Sequence, residues 1–151
     1  DLLFDRALAQ IKFCEFYAKL SHFLNESVDF KDKVHKMLLN KCKEVYCMST
    51  ESLTTYDEKN YISYCDYVAS KKKFVGNFQL IGELYKVNMI SLVVINRYWK
   101  LLVENLETDE DVEIRDNYSE CVCKLLETIG YKLLKEIGEN KFNKDIMDKI
   151  K

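Results

Sequence analysis

The chain of 151 residues contains no proline and only four glycines. Tight turns rely on these two residue types, so their scarcity argues against a β-sandwich or β-barrel and favours uninterrupted helices. No apolar run reaches the roughly 18 residues of a membrane span, and the opening segment DLLFDRALAQ lacks the pattern of a signal peptide. With 48% hydrophobic residues the chain is long enough for one core. We predict an all-α fold and a single domain, residues 1–151.

The charge is nearly balanced, with a net value of −2. This excludes a surface that is basic throughout, as in many nucleic-acid-binding proteins, but it is compatible with one local basic face. Lysine provides almost all of the positive charge, because the only arginines are Arg6, Arg97 and Arg115. Any binding site for an anionic partner must therefore be sought on one particular helix face.

The sequence also lacks the short motifs of enzymes and metal sites. Six cysteines are present without a CxxC pair, and Cys121 and Cys123 would point about 200° apart on a helix, which does not suit two ligands of one zinc ion. We predict reduced cysteines that pack as small hydrophobic side chains in an intracellular protein, rather than disulfides. His22 and His35 are too far apart in sequence to form a metal-binding histidine pair on one helix, and no nucleophile elbow or phosphate loop occurs. We predict no enzymatic activity, no cofactor and no metal.

Apolar residues at spacings of three and four predict a series of helices. The segment DLLFDRALAQ is amphipathic, and further helices are expected over 12–24, 30–48, 92–106 and 116–136. Residues 48–60 are predicted to form a loop, and the acidic stretch 107–111 a solvated turn. The expected packing face of the 12–24 helix consists of its large apolar residues, Phe13, Phe16, Tyr17, Leu20, Phe23 and Leu24.

The segment GNFQLIGELYKVNMI, residues 76–90, is predicted to be the central helix and the turn after it. On a helical wheel its apolar residues cover most of the circumference, so neighbours should pack on several sides. Gly76 and Gly82 would allow two of these neighbours to approach closely. Asn77 projects into the apolar arc, where a buried amide must be hydrogen-bonded, so we predict that it joins two helices.

A second apolar stripe precedes this helix and does not align with it. Tyr61, Tyr64, Cys65 and Val68 recur at helical spacing, but their stripe is rotated by roughly 150° from the apolar centre of the 76–86 segment. A single straight helix cannot turn both stripes toward one core. We predict a kink, a break or a change of packing partner around residues 69–73.

Two sets of residues are candidates for binding sites. A row of lysines on the third helix can follow a phosphate backbone, although a solvated face is the simpler explanation. The run of lysines before Gly76 can form a focused anion site only if its helix is irregular or just beginning there. These RNA-binding candidates are Lys33, Lys36, Lys43, Lys71, Lys72 and Lys73. The partner-binding candidates are Gln79, Glu83 and Lys86, on the narrow polar strip of the central helix, and Arg97 beside an aromatic cluster. Glu83 and Lys86 are expected to form a surface ion pair.

Helix pairs of about 40 residues joined by short turns suit a HEAT-like solenoid, with a closed bundle as the alternative. Four stretches resemble the middle domain of translation initiation factor four-gamma. They are GNFQLIGELYK with Met89 after it, CVCKLLETIGYKL, DLLFDRALAQIKFCEFYAKL and DFKDKVHKMLLNKCKEVY. The resemblance extends over nearly the whole chain and keeps the same order.

The resemblance implies a cytoplasmic, non-enzymatic scaffold of HEAT-like helix pairs. Such a scaffold binds a DEAD-box RNA helicase of the initiation-factor four-A type, other initiation factors and RNA, and helps to recruit mRNA to the small ribosomal subunit. It also implies a monomeric unit of a larger complex, incomplete here at both ends, where much of the helicase contact lies in the family. The alternative is a related module of a nonsense-mediated decay or nuclear cap-binding complex that binds protein only.

Overall fold

The computed structural model describes residues 2–27, 33–52 and 59–137. These ranges contain six α-helices, a short 3-10 turn at Ile11–Phe13 and no β-strand. The helices are α1 (Leu2–Ala9), α2 (Cys14–Glu26), α3 (Lys33–Ser52), α4 (Tyr61–Lys86), α5 (Leu92–Thr108) and α6 (Val112–Ile137). The all-α prediction is confirmed. The predicted start of the third helix at residue 30 lies outside the described residues, and the predicted loop begins later than expected because α3 continues to Ser52.

Side-chain caps define where the two longest helices begin. Asn60 Oδ1 accepts hydrogen bonds from the backbone N–H groups of Ile62 and Ser63, at 3.1 and 3.4 Å. Asp111 Oδ1 does the same for Glu113 and Ile114, at 2.8 and 3.3 Å. Such caps satisfy N–H groups that have no partner inside the helix. The acidic turn that was predicted only to be solvated therefore also starts α6.

Helices α4 and α6 lie side by side and run in the same direction. Tyr67 pairs with Asn117 near the start of both helices, and Tyr85 bonds Glu136 near their ends. Helix α3 runs the opposite way beside α4, because Cys42 lies against Asn77 and Tyr46 stacks on Phe74. Antiparallel pairs whose equivalent helices, here α4 and α6, stack in parallel are the arrangement of a helical solenoid. The predicted HEAT-like solenoid is confirmed.

The core is centred on the second half of α4. Every residue from Phe74 to Tyr85 is buried except Gln79, which is half-buried. Five aromatic rings from four helices, Tyr46, Phe74, Phe78, Tyr98 and Tyr118, pack with centroid distances of 5.4–6.2 Å, mostly edge to face. Edge-to-face packing places the positive ring edge against a negative ring face and adds to the burial energy. The segment predicted to be central is the centre of the core.

The predicted packing face of α2 is wrong for its phenylalanines, whereas Tyr17, Leu20 and Leu24 are half-buried. Phe13, Phe16 and Phe23 expose 57%, 62% and 71% of their surface, whereas the residues that α2 buries are Cys14, Ala18 and Ser21. Small side chains at a helix contact allow the axes to approach, because the interaxial distance depends on the residues between them. The hydrophobic pattern of α2 points to the face with the large residues, but the face that packs closely in the core is the one with small residues.

Of the alternatives predicted around residues 69–73, the break is wrong, and the structure shows a change in what the helix packs against. Helix α4 continues without interruption from Tyr61 to Lys86. The surroundings change instead: Tyr61, Tyr64 and Val68 expose 79%, 47% and 43% of their surface, and Cys65 is exposed. One continuous helix therefore accommodates two misaligned apolar stripes, because only the second stripe enters the core. No helix in the described ranges is long and apolar enough to cross a membrane.

Candidate nucleic-acid and partner interface

Three of the six candidate RNA-binding lysines share one face of α3. Lys33, Lys36 and Lys43 are all exposed, and their spacings of three and seven place them along one side of the helix. Their aliphatic stems and ammonium groups can follow an extended phosphate backbone. The geometry is that of a basic row rather than of a pocket.

The other three lysines do not form a compact anion site. Lys71 Nζ lies 3.1 Å from a carboxylate oxygen of Glu120 on α6, while Lys72 and Lys73 are exposed. Consecutive residues of a regular helix point about 100° apart, and α4 is regular here. Lys71 is thus turned toward α6, and the three ammonium groups diverge around the helix.

Two of the candidate partner-binding residues contact their own chain. Gln79 is half-buried and its Nε2 donates to the Ile11 carbonyl at 3.4 Å. Glu83 keeps its predicted ion pair with Lys86, at 2.9 Å, but only 7% of its surface is exposed. The predicted surface position of Glu83 is wrong because the 3-10 turn and the start of α2 cover this strip. Glu83 and burial together raise the pKa of the nearby Cys14 thiol to about 11, with burial the larger cause.

The two remaining candidates are accessible. Lys86 is exposed at the end of α4, and Arg97 is exposed on α5. Arg97 lines a shallow groove of about 440 Å³ together with Val93, Asn96, Lys100, Leu101 and Glu104. This groove combines basic, acidic and apolar groups, so it suits a mixed protein surface better than a phosphate.

Three asparagine amides join helices inside the protein. The predicted contact of Asn77 is confirmed, since its Nδ2 donates to the Cys42 carbonyl at 2.9 Å and the residue is fully buried. Two similar bonds were not predicted: Asn117 donates to the Tyr67 hydroxyl at 3.0 Å, and Asn105 donates to the Tyr46 hydroxyl at 3.1 Å. The signal for both was an amide among apolar helix positions.

Lys132 of α6 holds the end of α4, which the sequence did not predict. Its Nζ donates to the Tyr85 carbonyl at 2.7 Å and to Asn88 Oδ1 at 2.5 Å. The same ammonium lies 4.3 Å from the centre of the Tyr85 ring, and the Tyr85 hydroxyl donates to Glu136. Burial, followed by this bond to Glu136, raises the pKa of Tyr85. Asn88 itself adopts a positive φ of 61°, a conformation that asparagine tolerates better than most residues.

The cysteines divide into a buried and an exposed set. Cys14, Cys42 and Cys121 lie in the core, as predicted for small hydrophobic residues, whereas Cys47, Cys65 and Cys123 are exposed. Burial raises the pKa of the Cys42 thiol to about 12 and also raises that of Cys121, so both stay protonated at neutral pH. In the part of the chain that the structure describes, no group of three or more His, Cys, Asp or Glu residues could hold a metal ion.

Comparison with known proteins agrees with this architecture. The family profile described as the MIF4G domain matches residues 1–151. The chain belongs to the MIF4G domain family. A relative named eukaryotic translation initiation factor 4G, from Triticum aestivum, is 32% identical over 143 residues, which cover 85% of this chain and 9% of that protein. The protein of the same name from Oryza sativa subsp. japonica is 30% identical over 147 residues, which cover 85% of this chain and 8% of that protein.

A human protein named eukaryotic translation initiation factor 4 gamma 2 is 25% identical over 152 residues, covering 87% of this chain and 16% of that protein. This MIF4G domain therefore corresponds to less than a fifth of each of these relatives. No solved structure matches the chain. The similarity to a four-gamma middle domain that the sequence motifs indicated is confirmed by the family match and by these relatives.

Proposed function

We propose that this MIF4G domain is part of a cytoplasmic translation-initiation scaffold and has no catalytic activity of its own. In this role it binds a DEAD-box RNA helicase of the initiation-factor four-A type, together with RNA, and helps to recruit mRNA to the small ribosomal subunit. The observation that carries the proposal is the match of residues 1–151 to the MIF4G domain, supported by relatives named as initiation factors.

Within this proposal, RNA follows the basic row of α3. Lys33, Lys36 and Lys43 are exposed on one helix face, which gives their ammonium groups access to successive phosphates. Lys72 and Lys73 extend the positive charge on α4, whereas Lys71 is held by Glu120 and contributes less. Lys86 and Arg97 are the residues that we assign to the helicase contact, because both are exposed, whereas Gln79 is half-buried and Glu83 is buried.

The RNA contact is tested by fluorescence anisotropy with a labelled single-stranded RNA at several salt concentrations. Changing Lys33, Lys36 and Lys43 together to Glu should weaken binding, and it should lower the salt slope by about two, since each phosphate contact contributes about 0.7. The matched control changes Lys12, Lys124 and Lys135 to Glu, which alters the net charge equally on other helices. Equal losses in both triple variants would contradict a site on α3.

The helicase contact is tested by the ATPase rate of the helicase in the presence of the scaffold protein. We expect stimulation that saturates with scaffold concentration, and a lower apparent affinity after Lys86→Glu or Arg97→Glu. Arg115→Glu, an exposed change on α6, is the control. If no stimulation occurs at saturating scaffold, the helicase assignment is wrong, and a module of a decay or cap-binding complex becomes the better description.

A further inference from the structure

The shallow groove on α5 changes in chemical character from one end to the other. We call it the α5 groove; its lining residues are Val93, Asn96, Arg97, Lys100, Leu101 and Glu104. All of them belong to α5 and recur at spacings of three and four, so they form one face of that helix. Along the helix this face is first apolar at Val93, then basic at Arg97 and Lys100, and finally acidic at Glu104.

The two cations of the α5 groove are available to a ligand. Arg97 and Lys100 are exposed, and neither forms an ion pair within the described ranges. Glu104 follows Lys100 by one helical turn, but a lysine that precedes a glutamate at this spacing is the weaker order for a pair on one helix. Arg97 and Lys100 repel each other, because like charges three residues apart are neighbours. A carboxylate between them would relieve this repulsion, and the planar guanidinium could hold it with two hydrogen bonds.

The two ends of the α5 groove determine what should flank that carboxylate. Val93 exposes 71% of its surface, so an apolar side chain of the ligand would remove this surface from water. Glu104 is exposed at the other end and would attract a basic group. A nucleic acid carries a negative charge at every step, so it would be repelled at Glu104. A peptide that carries all three kinds of side chain can match the whole groove.

The length of the α5 groove sets the spacing of these side chains. Val93 and Glu104 lie about 16 Å apart along the helix axis, at a rise of about 1.5 Å per residue. In an extended chain every second side chain points to the same side, at intervals of about 6.6 Å. Three alternate side chains of such a chain therefore span about 13 Å. The long side chains of arginine and lysine close the remaining distance.

We propose that the α5 groove binds a short extended segment of a partner protein in which an apolar, an acidic and a basic residue occupy three alternate positions. The apolar side chain packs on Val93, the carboxylate lies between Arg97 and Lys100, and the basic group pairs with Glu104. This inference deepens the proposed function and rests on it, because it specifies the chemistry of the partner at Arg97.

The test uses a fluorescein-labelled peptide of about seven residues, with leucine, glutamate and lysine at alternate positions and serines between them. The protein is titrated into the peptide, and binding is followed by fluorescence anisotropy. We expect this peptide to bind about fivefold more tightly than a peptide of the same composition in which the glutamate and the lysine are exchanged, a factor that a favourable exposed ion pair supplies. A triple variant with Arg97→Glu, Lys100→Glu and Glu104→Lys should reverse this preference. Equal affinity for the two peptides, or an unreversed preference in the triple variant, would overturn the proposal.

Matched controls separate the α5 groove from general effects of charge. Val93→Asp should weaken binding of the first peptide, whereas Val112→Asp, at a valine that is 61% exposed on α6, should not. Arg115→Glu, an exposed change on α6, should likewise keep the preference between the peptides. All of these positions are exposed, so each variant should keep the melting temperature of the parent protein. Equal losses in Val93→Asp and Val112→Asp would count against a contact at the α5 groove.

Two further results distinguish this inference from its alternatives. If a single-stranded RNA displaces the peptide and Arg97→Glu weakens the RNA more than the peptide, the groove binds RNA and the proposal is wrong. The helicase ATPase assay separates the proposal from the proposed function. Selective peptide binding without any stimulation of the helicase would support the groove and contradict only the helicase assignment. Stimulation that requires Arg97, without any preference between the two peptides, would contradict only this inference.

Discussion

Gly82 lies in close contact with α6, and a Cβ atom there would require a shift of α6. A Cβ atom at this position would lie 2.7 Å from Thr128 Cγ2 and 3.1 Å from Ile129 Cγ2. Thr128 is β-branched, so its methyl group cannot rotate away freely. Gly130, by contrast, has no atom within 4 Å of such a Cβ. Gly82 therefore has a steric role that Gly130 does not have.

Gly82→Ala should destabilise the protein by about 1–3 kcal/mol, because overpacking strain exceeds the gain in helix propensity. Gly130→Ala is the control and should stabilise it by roughly 0.5–1 kcal/mol. Both values come from urea unfolding followed by circular dichroism. Thr128→Ser, which removes the clashing methyl group, should recover part of the loss in the Gly82→Ala background. A stabilising Gly82→Ala would contradict the close contact.

Lys132 is a second residue with an effect larger than its surface position suggests. Its ammonium satisfies the Tyr85 carbonyl at the end of α4 and bonds Asn88 in the following turn. We expect Lys132→Met to lower the free energy of unfolding by about 1–2 kcal/mol, since charged donors to such groups are worth more than neutral ones. Lys124→Met breaks an exposed ion pair with Glu127 on the same helix and should change stability by less than about 0.5 kcal/mol. Equal effects would exclude a special role for Lys132.

Single elements differ in how far their sequence predicted them. In α6 the apolar residues that recur at spacings of three and four form the buried side, as hydrophobic periodicity alone predicts; they are Tyr118, Cys121, Val122, Leu125, Ile129 and Leu133. In α2 the prediction was wrong, since hydrophobic periodicity identifies an apolar side but not the side that a neighbour reaches. Cys14, Ala18 and Ser21 carry too little hydrophobicity to compete with three phenylalanines in a sequence pattern. Their advantage is steric and exists only once α4 is in place.

The exposed phenylalanines of α2 allow a direct test of whether its small residues, rather than its large ones, face the core. Phe23→Ala should change stability by less than about 0.5 kcal/mol, as is usual for surface substitutions. Phe78→Ala removes a fully buried ring from the aromatic cluster and should cost about 3–5 kcal/mol. Chemical denaturation of both variants decides the matter, and a large loss in Phe23→Ala would mean that the phenylalanine stripe packs in the core after all.

The candidate interface was predicted less well than the fold for a related reason. Exposure of the α3 lysines followed from one helix alone, and the structure places them on one face. Gln79 and Glu83 also formed a polar strip on their own helix, but the 3-10 turn at Ile11–Phe13 crosses that strip. A polar residue is therefore a reliable sign of exposure only where no distant segment returns to it, and this information is absent from local spacing.

At the scale of the whole molecule, the buried titratable groups determine the response to pH. Burial raises the pKa of Cys14 to about 11 and those of Cys42 and Tyr118 to about 12, against ordinary values of 9.0 for cysteine and 10.0 for tyrosine. At a pH between the ordinary pKa and the folded-state pKa, each of these groups is deprotonated in the unfolded chain but still protonated in the folded protein. The stability from these groups is complete below about pH 9 and is lost as pH rises through about 11 to 12.

We therefore expect the midpoint of urea unfolding to be nearly constant between about pH 7 and pH 9 and to fall steeply above that range. Burial raises the pKa of Tyr98 as well, so Tyr98→Phe removes one contributor and should make the alkaline decline shallower. Tyr131→Phe, at a residue that is 83% exposed, should leave the decline unchanged. A midpoint that rises with pH would show that these groups are not buried in their protonated form.

Because helix α4 is unbroken, it fixes the angle about the helix axis between the side chains of its first half and those of its second half. Its first half presents the exposed apolar residues Tyr61, Cys65 and Val68, its second half fills the core, and both halves belong to one unbroken helix of 26 residues. Inserting a single residue after Val68 would rotate one half against the other by about 100°, turning Tyr67 away from Asn117 or Phe74 out of the aromatic cluster. An insertion of seven residues would restore the angle to within about 20°. An insertion within α4 that keeps both halves in their present orientation must therefore add about seven residues, or two turns. An insertion in a segment between helices is not restricted to such steps.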